Sequence, residues 1–136
     1  MSTEVSTTNA KSKQSRATPW RMVMIMGGAG VTHFTNPDFY DEIVPSWAPG
    51  PKRVWVQGSG AVELACAVLL IAPKTRRLGG WLTAATLLSV WTANIQTALD
   101  GGLEGDGPLK SKAAAWIRVP FQIPMILDAV NIARRG

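Results

Sequence analysis

The sequence is poor in the residues from which metal and thiol centres are built. Of its 136 residues, one is cysteine (Cys66) and one is histidine (His33). A single thiol excludes an internal disulfide and a Cys-x-x-Cys redox pair. A single imidazole excludes bis-histidine haem ligation, and with one nearby carboxylate it falls short of a zinc site. Neither metal nor haem is expected. No phosphate-binding glycine loop and no hydrolase motif is present. Cys66 sits in an apolar stretch and reads as a small buried hydrophobe.

Charge is also missing, but locally. Trp81 to Leu99 contains no charged residue, and Val54 to Pro73 contains only Glu63. A water-soluble bundle helix needs a polar face with charges recurring every three or four residues, which these stretches lack. Four such runs of about 16 to 22 residues fit the roughly 20 residues needed to cross a bilayer. The expectation is an all-α integral membrane four-helix bundle, with transmembrane helices at about 19–34, 54–72, 78–99 and 113–133. Short connections make neighbours antiparallel. Residues 18–136 form this domain. Residues 1–17, rich in Ser, Thr and Lys with one aliphatic side chain at Val5, form a disordered cytoplasmic tail. The first apolar run starts late and has no clear cleavage site, so it is not read as a secretory signal.

The net charge of +5 does not point to nucleic acid, because the basic residues alternate by connection as a membrane topology requires. Nine lie at the N-terminus, in Lys74–Arg77 and at the C-terminus, against four on the other side (Lys52, Arg53, Lys110, Lys112). Both termini are expected in the cytoplasm, and the partner is the lipid bilayer.

Thr18-Pro19 and Asn36-Pro37 each read as a capping side chain followed by Pro at the first helical position. Phe39, Tyr40, Ile43 and Val44 share one face of a short helix expected to lie in the outer interface. Trp47 and Trp55 sit where aromatic belts occur. Gly27, Gly28, Ala29 and Gly30, and Ser59-Gly60 on the next run, suit close helix approach. Asp100 to Lys112, rich in Gly and acid, is read as a flexible outer loop.

Charges inside a crossing cost about 2.5–3.5 kcal/mol each on insertion scales and rarely occur without a partner or purpose. Glu63 lies roughly 14 Å below the outer start of its helix and Arg118 roughly 8 Å below the start of the last. Asn94 and His33 fall in the same outer half, and Gln122 shares the face of Arg118. Arg118 is long enough to reach Glu63. Asp128 is turned about 80° from that face, near the other end, and is read as interfacial. Pro120 and Pro124 free the carbonyls of Trp116 and Pro120, which then need other partners. Two readings stand side by side. One is a buried Glu–Arg pair with amide hydrogen bonds that hold the bundle in register. The other is a small ligand-binding pocket lined by His33, Glu63, Asn94, Arg118 and Gln122. It would take a quinone head group or another small polar ligand, or pass a proton.

Read in order, these residues resemble the DoxX-like family of small four-helix bacterial membrane proteins. The matching string begins with Gly30, His33-Phe34, Pro37, Tyr40, Ile43, Pro45, Trp47 and Pro49. It continues through Ser59-Gly60, Glu63, Pro73, Thr75 and Arg76-Arg77 to Ala93-Asn94 and Arg118-Val119-Pro120-Phe121-Gln122. The resemblance implies a multi-pass protein of the bacterial cytoplasmic (inner) membrane, associated with quinone-linked oxidation. Some relatives carry out thiol or sulfur chemistry, which needs paired cysteines that this chain lacks. A subunit or accessory protein of a larger membrane redox complex is expected before an independent enzyme, because the chain supplies no electron carrier. The alternatives are a small transporter or proton-conducting protein that titrates Glu63, and an assembly factor without ligand.

Overall fold

In the computed structural model, residues 17–103, 105 and 107–136 are described. The tail expected over 1–17 lies, apart from Ala17, outside them. Helices account for most of the remainder: α1 (Trp20–Thr35), α2 (Pro37–Asp41), α3 (Lys52–Ile71), α4 (Arg76–Leu99) and α5 (Lys112–Arg135). A 3-10 turn, Pro108–Lys110, precedes α5.

The four long helices follow the four charge-poor runs, and their ends have local causes. α3 stops because Ala72, the residue before Pro73, is extended at φ −82 and ψ 132, the conformation a following proline imposes. α5 starts at a Ser111 cap, whose hydroxyl accepts from the Ala114 amide at 3.1 Å. The caps expected from Thr18 and Asn36 do not form. No side chain caps α1, and Thr18 Oγ1 instead accepts from Arg76 at 3.1 Å. Asn36 precedes Pro37 without a side-chain bond. The loop after α4 turns on positive-φ Gly101 and Gly102 and closes with Leu103 N–H on the Lys110 carbonyl at 3.0 Å.

The expectation of four membrane crossings is corrected by the helices themselves. Among the described residues, two are long and apolar enough to cross a membrane: α3 (Lys52–Ile71) and α5 (Lys112–Arg135). α1 has 16 residues, a rise of about 24 Å against a hydrocarbon core of about 30 Å. α4 is long enough, but freedom from charge is not apolarity. Its charge-free part carries Thr83, Thr86, Thr92, Thr97, Ser89, Asn94 and Gln96.

The long helices pack in chain order, α1 on α3, α3 on α4 and α4 on α5, each pair antiparallel. Closest approach is made by glycine. A Cβ on Gly60 would stand 2.7 Å from the Cβ of His33, and one on Gly30 would stand 2.8 Å from Leu64. Gly80 lies so near α5 that a Cβ would meet the Ala133 nitrogen at 2.6 Å. Gly28, in contrast, faces open space.

The two ends of the bundle differ. Toward the end formed by Trp20, Ile71, Arg76 and Arg135, the interior is filled by Met22, Met26, Cys66, Leu70, Leu87 and Ala129. Arg76, 4% exposed, holds this end together by donating to the Leu70 and Ile71 carbonyls, both at 3.1 Å. Those carbonyls belong to the last turn of α3, where no further helical N–H is available. At the opposite end the core gives way to a cavity.

Candidate functional site

A cavity of about 460 Å³ occupies the end of the bundle beneath α2 and the loop that follows it. All four long helices reach it, and so do Phe39, Tyr40, Ile43 and Val44, whose shared face forms its roof. The roof is strapped from outside. Arg53 donates to Asp38 at 2.8 Å and to Asp41 at 2.9 Å, and Lys110 pairs with Glu42 at 3.4 Å. Trp55, half-exposed on α3, donates its indole N–H to the Pro49 carbonyl at 2.7 Å.

His33, Glu63, Asn94, Arg118 and Gln122 all line this one cavity. Their pairing differs from the expectation. Glu63 meets His33 rather than Arg118: Nδ1 of His33 stands 3.0 Å from Glu63 Oε2, and both side chains are more than nine-tenths buried. The same Nδ1 lies 2.6 Å from the Ala29 carbonyl. A nitrogen held between two oxygen acceptors carries the proton, so Nδ1–H is the assigned tautomer. Its N–H is spent on Ala29. The contact with Glu63 is close but poorly aligned, and Oε2 is left without a hydrogen-bond partner. On its other side His33 stacks on Tyr40, with ring centroids 3.7 Å apart, and Tyr40 is fixed by a 2.7 Å bond between its hydroxyl and Thr32.

Arg118 is drawn toward the roof. Its Nη2 donates to the Leu109 carbonyl, and its guanidinium lies 5.4 Å from the centre of the Phe39 ring. Nη1 is buried and has no partner. Asn94 and Gln122 are bonded to each other, Nδ2 of Asn94 donating to Gln122 Oε1 at 2.6 Å. Gln122 then donates to the Leu87 carbonyl at 2.8 Å. These two amides bolt α4 to α5, while Glu63 and Arg118 each keep an unused polar atom.

Sequence reasoning missed three contributors. Tyr40 was placed on an apolar face but not against His33. Trp91 donates to the Val119 carbonyl at 2.8 Å, beside the proline pair of α5. That carbonyl is not one of the two the prolines free, so no signal in the sequence named the bond. The Arg53 strap was signalled by Asp38 and Asp41, near the start and at the end of α2, but its partner lies on another helix. Asp128 is away from the cavity and pairs with Arg21 at 3.3 Å. Among the described residues, no group of three or more His, Cys, Asp or Glu side chains is placed to hold a metal ion.

The arrangement is an apolar, aromatic-walled chamber lined by Glu63 and Arg118, each of which also holds one buried polar atom without a hydrogen-bond partner. No curated protein and no solved structure matches the chain. Residues 22–133 match the family described as a domain of unknown function, DUF8561, and the chain belongs to that family.

Proposed function

We propose that the protein is a membrane-embedded binding protein for a small ring with polar substituents, such as a quinone head group. In this reading it serves as a subunit or accessory protein of a quinone-linked redox system. The observation that carries the reading is the pair of unpartnered buried atoms, Glu63 Oε2 and Arg118 Nη1, on residues lining one cavity. An unsatisfied buried polar atom costs about 1–3 kcal/mol. Glu63 and Arg118 each carry that cost on a side chain at the chamber wall, and a ligand that drew the two groups toward it would relieve it. The volume falls within the roughly 300–1,000 Å³ typical of small-molecule sites. Phe39, Tyr40, Trp47 and Trp55 supply flat apolar walls.

Membrane residence is supported by α3 and α5 and by what the molecule exposes. Met24, Val68, Trp81, Ile117, Phe121 and Leu127 are each at least 47% exposed and spread over all four long helices. Apolar surface on that scale marks contact with lipid or a partner. The resemblance of the motif string to DoxX-like proteins supports the quinone assignment.

Purification with native lipids tests it. The wild type retains quinone, and Glu63→Gln and Arg118→Ala lose it while staying folded. Wild-type protein with no quinone, and no affinity for added quinone, would sink the proposal. A second reading, proton conduction, is favoured by the buried His33–Glu63 contact. It requires proton flux in liposomes that Glu63→Gln abolishes without any quinone binding.

A further inference from the structure

The end of the bundle away from the chamber holds a second pocket of opposite character. Packing in chain order joins α1 to α3, α3 to α4 and α4 to α5, and leaves α1 and α5 without an extended contact. Between these two, at the Arg76 end, a pocket of about 430 Å³ opens. Thr18 to Met22 line it from the entry into α1, and Asp128, Asn131 and Arg135 line it from the end of α5. Arg76 completes the lining.

Charge in this pocket does not balance. Arg21, Arg76 and Arg135 share its wall with one carboxylate, Asp128. Arg21 meets Asp128 in a single contact at 3.3 Å, with the Arg21 side chain 81% exposed, and a pair of this kind contributes little and is easily exchanged. Arg76 is buried, its guanidinium held in place by the Leu70 and Ile71 carbonyls and the Thr18 hydroxyl. Arg135 is exposed and has no ion-pair partner among the described residues. Guanidinium groups in surplus suit an anion with several oxygens, and they pair with phosphate in bidentate geometry. The surrounding surface says which phosphate. Trp20 lines the pocket and is exposed; Met24, one turn further along α1, and Leu127, one turn before Asn131 on α5, are exposed as well. Apolar side chains therefore lead from the pocket along both helices, as acyl chains do beneath a headgroup. A free phosphate would leave that surface uncovered. Tryptophan at the level of the charges is the pattern of a membrane–water interface.

We propose that the pocket between α1 and α5 binds the phosphate headgroup of an anionic phospholipid, held by Arg21, Arg76 and Arg135, in the leaflet that this end of the bundle faces. Basic pockets between membrane helices are known to hold such headgroups. The inference rests on the membrane residence proposed above and is independent of ring binding. Asp128 competes with the headgroup for Arg21.

Native mass spectrometry of the detergent-solubilised full chain tests it, with dioleoylphosphatidylglycerol and dioleoylphosphatidylcholine titrated separately. Each arginine near a headgroup contributes about five-fold in affinity, so the wild type is expected to bind the glycerol lipid about ten-fold or more tightly than the choline lipid. Arg135→Gln should weaken binding of the glycerol lipid about five-fold. Arg134→Gln makes the same charge change on a neighbouring side chain outside the pocket and should weaken it by less than about two-fold. Both arginines are exposed, so neither substitution threatens the fold. Asp128→Asn should strengthen binding about five-fold, because it releases Arg21 and removes a repulsion. Equal affinities for the two lipids overturn the inference and leave membrane residence intact. Equal losses in Arg134→Gln and Arg135→Gln overturn the location, since the charge of the whole end would then be acting rather than the pocket. Displacement of the glycerol lipid by inorganic phosphate at a similar concentration overturns the lipid assignment in favour of a soluble anion. A chain that binds neither lipid overturns the inference, and if it also stays dispersed in water without detergent, membrane residence falls with it.

Discussion

The bolt between α4 and α5 makes a quantitative prediction that is independent of any ligand. Gln122→Leu removes two hydrogen bonds, from Asn94 at 2.6 Å and to the Leu87 carbonyl at 2.8 Å. It also strands the Asn94 amide, which is only 7% exposed. At about 1 kcal/mol for each bond and about 1–3 kcal/mol for a stranded buried group, the expected loss is about 3–5 kcal/mol. Asn94→Leu removes one bond and strands only Gln122 Oε1, so its cost is about 2–4 kcal/mol. The double variant strands nothing, because apolar groups of similar size face each other, and it should lose less than Gln122→Leu alone. The coupling between the two sites is then at least about 2 kcal/mol. Reversible denaturant unfolding in mixed micelles, followed by helical circular dichroism, measures all four corners of the cycle. Additive losses would refute the reasoning, since they would mean that the two amides are satisfied separately.

Three further perturbations follow from the packing. Gly60→Ala puts a methyl group 2.7 Å from the His33 Cβ, and overpacking of this kind should cost about 1–3 kcal/mol and displace His33, seen as destabilisation with weakened ring binding. Arg76→Ala leaves the Leu70 carbonyl without its Arg76 donor and the Ile71 carbonyl with only the Thr18 hydroxyl at 3.5 Å, so a loss of about 2 kcal/mol or more is expected, only partly recovered by Lys, which lacks the planar fork. Arg53→Ala should change stability by less than about 1 kcal/mol, because its ion pairs are exposed. It should nonetheless raise amide hydrogen exchange over residues 38–44 several-fold, and high salt should bring the wild type toward the variant.

The helices were legible in the sequence because charge and proline punctuate it clearly. Pro73, Pro19 and Ser111 each stand within a residue or two of a helix end. Which five polar residues share a cavity was also readable, because depth and helical phase follow from counting residues. Their partners were not. Counting puts Arg118 above Glu63, but a guanidinium on a long side chain takes whichever acceptor and ring come first, here Leu109 and Phe39. His33 reaches Glu63 because Gly60 lets α1 and α3 approach, and close approach is a property of two helices together. The error in the number of crossings came from treating uncharged as apolar, and the hydroxyls and amides of α4 expose it.

The order in which the long helices pack has a consequence for synthesis. Each settles on the one made before it, so α1, α3 and α4 can assemble while the remainder of the chain is still being made. Arg118 and Gln122 arrive only with α5. Until then the carboxyl of Glu63 faces an unfinished wall and the amide of Asn94 has no Gln122 to meet. A nascent chain thus has three of its long helices before it has its chamber, and a product ending within residues 100–111 would lack the wall that α5 supplies.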